Sequence, residues 1–105
     1  MAIDFEATKR IAKRYAEDVR RALPVDKAVL FGSYARGTST GGSDIDVCFF
    51  LRDFGGKRRV DIVMNLLDLT DGYKGVLFEP IAFQTSEIER GNPFVKQILA
   101  TGVEL

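Results

Sequence analysis

The chain has no histidine, and that absence removes two classes of chemistry at once. Neither histidine acid–base catalysis nor histidine metal ligation is open to it. There is one cysteine, Cys48, so no disulfide can form within the chain, and its place in an apolar run marks it as a packing residue. Net charge is missing as well: fifteen basic and fifteen acidic residues cancel to zero. That balance argues against binding nucleic acid through overall charge, and nucleic acid is not the expected direct substrate. No apolar run approaches the length of a membrane span, and the start lacks the charged-then-apolar form of a secretion signal. A cytoplasmic address with no membrane partner is therefore expected. Repeats are absent, and 105 residues leave room for one compact core, so a single domain over residues 1–105 is expected.

What is present is concentrated in two short segments. The run Ala28-Val29-Leu30-Phe31 is fully apolar and reads as a buried strand. Gly32-Ser33-Tyr34-Ala35-Arg36-Gly37 breaks it. A glycine at Gly32 lets backbone approach a group that a Cβ would exclude, and amides with the Ser33 hydroxyl at a following helical turn suit an anion. Arg36 adds a cationic fork for phosphate oxygens. Shortly afterwards comes Ser43-Asp44-Ile45-Asp46-Val47, opening the apolar strand Val47 to Leu51. Residues i and i+2 of a strand share a face, about 6.6 Å apart. Asp44 and Asp46 would therefore converge on one hard cation, while Ile45 turns into the core. Oxygen-only ligands suit Mg²⁺ or Mn²⁺, and without a cation two such carboxylates would repel. Ser43 orients the turn and is grouped with the nucleotide-binding residues.

The rest of the chain alternates. A helix is expected over residues 4–23, with Phe5, Ala12, Tyr15, Val19 and Leu23 on one face, Asp4 as its cap and Pro24 ending it. A second is expected over 57–69, with Val60, Val63, Met64 and Leu67 as its apolar face. Residues 76–83 read as a third strand, in which Pro80 removes a ladder donor and points to a sheet edge or an irregularity. Ser86 with Glu89 has the form of a capping box, and Asn92-Pro93 opens a last helix that Gly102 would close. The order helix, strand, short helix, strand, helix, strand, helix predicts an α/β (α+β) protein: a small mixed β-sheet with helices packed mainly on one face. Basic residues on the first helix (Lys9, Arg10, Lys13, Arg14, Arg20, Arg21) and at Lys57, Arg58 and Arg59 read first as solvated surface.

Together, the Gly32–Gly37 and Ser43–Val47 segments resemble the signature of the nucleotidyltransferase superfamily typified by DNA polymerase beta, and in particular its minimal prokaryotic members. The ending, Asn92 through Leu99 to Gly102, is similar to the tail of that group. The resemblance implies a nucleotidyltransferase fold and carries roles over to matching positions. Gly32 and Ser33 match the positions that hold the triphosphate of ATP, and Asp44 and Asp46 match the two catalytic metal-binding carboxylates. The family draws a third acid from a later strand; Glu79 is the expected candidate, with Asp61 as the rival, although the family commonly has aspartate there. The implied mechanism uses two metal ions, one holding the triphosphate and one activating an acceptor hydroxyl.

The acceptor is the open half. Relatives with known acceptors usually carry extra domains, so this chain is expected to borrow its acceptor site from a partner or from its own dimer, as a homo- or hetero-oligomer. The minimal group often resembles the antitoxin half of a toxin–antitoxin system, which implies transfer of AMP to a tyrosine of a helical HEPN-type toxin. A small-molecule nucleotidyltransferase acting on an aminoglycoside-like acceptor remains open. So does a non-catalytic module that neutralises its partner by contact.

Overall fold

In the computed structural model of the protein, residues 5–32 and 44–105 are described. Helix α1 spans Phe5–Ala22, with Glu6 in its first turn and Arg20 and Arg21 in its last, each complementing the helix dipole. Strand β1, Val25–Phe31, returns alongside it. Strand β2 is Ile45–Leu51, helix α2 Arg59–Asp68, and strand β3 Phe78–Gln84. A single turn α3, Ser86–Glu89, leads to helix α4, Pro93–Thr101, and the chain closes in a two-residue strand β4, Val103–Glu104.

The sheet runs in the order β3-β2-β1-β4 and is mixed. β1 pairs antiparallel with β2 and β4, and β2 pairs parallel with β3. The parallel pair requires a crossover, which α2 supplies. The α/β mixed sheet expected from the sequence is thus the observed architecture. β2 is central and buried along its length from Val47 to Leu51, and both sets of its alternating side chains find apolar cover. Ile45, Val47, Phe49 and Leu51 join Ala28, Leu30 and Ala82 against α1 and α2, the two longer helices. Cys48 and Phe50 join Val29 beneath Val95 and Ile98 of α4. Fully apolar strands read as fully apolar because both faces are covered.

Tyr15 anchors the larger side. Its ring lies 5.5 Å from Phe49 and 4.4 Å from Phe78, and its hydroxyl donates to the Leu66 carbonyl. A buried phenol needs such an acceptor, and burial raises its pKa well above the ordinary value.

Several expectations are corrected. β1 begins three residues before the apolar run, because Asp26 and Lys27 sit at a register shift near the sheet end. α2 buries Ile62 and Leu66; of the expected apolar face, Val63 packs partly against the core while Val60, Met64 and Leu67 point outward. This short helix is apolar on two sides, and the sheet takes the other one. Ser86 does not cap its helix: Thr85 occupies the cap, its hydroxyl donates to Asp26 at 2.6 Å, and Glu87 rather than Glu89 returns to the Gln84 amide. Asn92 does cap α4, accepting from Phe94 N at 2.9 Å with Pro93 following. Gly102 closes α4 with its amide on the Ile98 carbonyl, and a Cβ there would crowd that oxygen to 2.6 Å. The expected Asp4 cap and the short helix after Ser33 lie outside the described residues.

Pro80 lies in β3, an edge strand. The Ala82 carbonyl points outward, accepting from Arg59 Nε at 2.9 Å. Groups two residues apart along a strand point the same way, so the missing Pro80 donor also faces the free side, where no ladder bond is lost.

Candidate active site

The candidate carboxylates gather where β2 and β3 begin. The parallel register sets Asp46 directly beside Glu79, and the antiparallel register sets Phe31 on its other side. Register partners share a sheet face, here the face covered further along by α4. Asp46 is half-buried and Glu79 exposed. Asp44 stands one residue ahead of β2 and is exposed; the Ile45 amide donates to the Leu77 carbonyl at 2.7 Å, so the pairing reaches back to Asp44's neighbour. Adjacent strands lie about 4.8 Å apart, which brings Asp46 and Glu79 as near as two residues distant in sequence can come.

Gly32 is the floor of this arrangement. Its φ is +78°, a conformation glycine adopts at no steric cost. A Cβ placed on it would overlap Asp46 Oδ2 and lie 3.0 Å from Asp46 Cγ. The sequence suggests a glycine admitting a phosphate; among the described residues, the group pressed against Gly32 is the Asp46 carboxylate itself. The signal for this role is a glycine at the end of the strand paired with the acidic one. Ser33, Arg36 and Ser43 lie outside the described residues.

Asp61, the rival third acid, is otherwise engaged. It lies at the start of α2, where its carboxylate accepts from the Arg58 amide at 3.0 Å and pairs with the Arg58 guanidinium at 3.3 Å. Those bonds to Arg58 hold its pKa below the ordinary carboxylate range. Its structural role as an N-terminal brace is complete without a ligand.

The donor set is all oxygen, which matches a hard divalent cation. The space a Cβ on Gly32 would take is occupied by the Asp46 carboxylate, which the glycine lets lie against the backbone. Among the described residues, no three His, Cys, Asp or Glu side chains are gathered closely enough to hold a metal ion. Backbone register supplies the proximity of Asp46 and Glu79.

The nucleotidyltransferase domain family matches residues 12–98, and the chain belongs to that family. The match takes in β1, β2, β3 and the helices between them. No curated protein matches the chain. Among solved structures, the chain is similar to a protein of Sulfolobus solfataricus provisionally assigned as a nucleotidyltransferase. The two share 23% identity with a TM-score of 0.62, over 94% of this chain and 82% of the other. At that identity the likeness speaks for the fold alone. Fold and family together define a transferase of nucleotidyl groups. Among the described residues, no helix is long and apolar enough to cross a membrane.

Proposed function

We propose that the protein transfers AMP from ATP to a hydroxyl, with Asp44, Asp46 and Glu79 as the metal-holding acids. The observation that carries this reading is the register pairing of Asp46 with Glu79, with Gly32 packed beneath the Asp46 carboxylate. Two carboxylates set side by side on one sheet face offer the oxygen ligands that a hard divalent cation takes. Bound there, Mg²⁺ or Mn²⁺ would neutralise phosphate charge and lower the pKa of the acceptor hydroxyl.

The chain's own residues then have separable tasks. Asp46, fixed by strand and glycine floor, would orient the cation against the α-phosphate. Asp44, at the strand mouth, would share the ion that accompanies the triphosphate. Glu79 would draw the proton-bearing side of the acceptor toward the site. Gly32, Ser33, Arg36 and Ser43 would receive the triphosphate. In-line departure of pyrophosphate needs positioning and charge neutralisation rather than a covalent enzyme intermediate.

The acceptor we favour is a tyrosine of a helical HEPN-type toxin, which would make this chain an antitoxin of the cytoplasm. The acceptor would be presented by a partner, in a hetero-oligomer. A second reading, a binding module that neutralises by contact alone, draws support from glutamate in place of the usual aspartate and from the absence of a gathered three-ligand cluster among the described residues. The test incubates the protein with labelled ATP, Mg²⁺ and a helical HEPN-type protein. Label should pass to the partner, and the Asp44→Asn/Asp46→Asn double variant should abolish it. Labelling that survives in the double variant sinks the proposal, and neutralisation that survives without labelling supports contact alone.

A further inference from the structure

The face of the sheet that carries Asp46 and Glu79 also carries a run of aromatic rings. Phe31 is the register partner of Asp46. Its ring centroid lies 6.3 Å from that of Phe94, edge to face at 90°. Phe94 in turn lies 6.1 Å from Phe83, and Phe83 is 6.2 Å from Phe50 and stacked with it. Phe31, Phe50 and Phe83 are buried or partly buried and complete the smaller core. Phe94 is different: it stands in the first turn of α4 with 49% of its surface open. The amides beside it are spoken for, since Phe94 N and Val95 N both donate to Asn92 Oδ1. This helix start therefore offers a ring rather than N–H groups.

We propose that the open face of Phe94, held upright by Phe31 and Phe83 beside the Asp46–Glu79 pair, is the stacking platform for the nucleobase of the bound nucleotide. The inference rests on the nucleotidyl-transfer reading and deepens it. Phe31 borders Asp46 through the strand register, and Phe94 rests between Phe31 and Phe83 on the same face. In a nucleotide the α-phosphate and the base are separated by one sugar. With the phosphate at the carboxylates, the base would be carried toward the Phe94 ring. A partner protein is a poorer fit for this ring. Protein docking surfaces need a broad apolar patch. The exposed stripe Val60, Met64 and Leu67 belongs to α2, which packs on the opposite face, and among the described residues Leu77, just before β3, adds one exposed large apolar side chain at this end. One ring suits one base. Every base has a π-face, so stacking on phenylalanine holds purines and pyrimidines alike, with the larger purine face favoured.

The test compares two ligands that share a polyphosphate and differ in the base: a non-hydrolysable ATP analogue and inorganic tripolyphosphate, each with Mg²⁺, titrated calorimetrically. The wild type should bind the ATP analogue more tightly. Phe94→Ala should weaken it by about tenfold and leave tripolyphosphate unchanged, while Phe94→Tyr, which keeps the ring, should retain affinity. Equal losses for both ligands, no loss for either, or a tyrosine variant as weak as alanine would overturn the platform. A variant that binds the analogue normally but no longer labels the partner would overturn it too, by assigning the ring to the acceptor. A wild type that binds neither ligand would instead fail the donor-site reading itself.

Discussion

At the far end of the β2–β3 pair, polar groups of different elements are bonded to one another. The Thr85 amide donates to the Leu51 carbonyl at 2.8 Å, and the Thr85 hydroxyl reaches Asp26. Arg59 bonds the Ala82 carbonyl, pairs with Glu87 at 3.0 Å and lies 5.0 Å over the Phe83 ring. At the near end the same two strands set Asp46 beside Glu79, with Asp44 just ahead. Among the described residues, none of the ion pairs engages Asp44 or Glu79. One end is cross-linked; at the other, the described residues bring the carboxylates of Asp46 and Glu79 side by side. A chain that cross-links one end and sets two carboxylates side by side at the other has local rules broken where function is to be sought.

That contrast can be broken by exchanging the roles of the two ends. The largest effect is expected at Gly32. Gly32→Ala forces a Cβ into the Asp46 carboxylate and a positive φ on alanine, so transfer should fall by about a hundredfold or more from misplacement alone. Backbone strain of about 1–3 kcal/mol should appear in urea denaturation. Full labelling by this variant, with stability lost, would make the acidic end structural. At the opposite end, Arg59→Ala should cost about 1–2 kcal/mol of stability, from a half-exposed ion pair, a carbonyl bond and a cation–π contact. Its rate of labelling should match the wild type; a drop comparable to that of Gly32→Ala would erase the distinction.

The smallest effect concerns pH. Tyr73 is pushed up to about 12, first by burial and then by its hydrogen bond to Asp18. The folded protein thus holds this proton more tightly than the unfolded chain, whose phenol titrates near 10. The stabilising contribution is complete below pH 10 and disappears as pH rises through 12. Tyr73→Phe should flatten part of that alkaline decline in unfolding curves. An unchanged slope would mean that the contact between α1 and the segment after α2 contributes little to stability.

β1 and β2 were legible because their apolar runs, bounded by glycine or acidic turns, admit few other readings. Pro80 likewise announced an edge, since a ladder donor can be missing only where none is needed. β4 was not legible: two residues carry no periodicity, and its place is set by Leu105 N bonding Ala28 O across the sheet. The buried side of α2 escaped because Ile62 and Leu66 form as good a stripe as Val60, Met64 and Leu67, and only the sheet decides between them. At the site, Asp44 and Asp46 could be paired by spacing alone. Glu79 could be joined to them only through family resemblance, because strand register is a long-range property. The contact of Gly32 with Asp46 was invisible for the same reason.

The outer side of β3 has a consequence for how the protein keeps company. Pro80 offers no donor there, the Ala82 oxygen is capped by Arg59, and the Gln84 amide is held by Glu87. A foreign strand cannot zip onto such a border, so the sheet is closed to growth by β-addition at this edge. At this border a second copy or a partner must come in over helices or loops rather than by strand pairing. A crowded, newly made chain also presents little template there for fibril-like stacking.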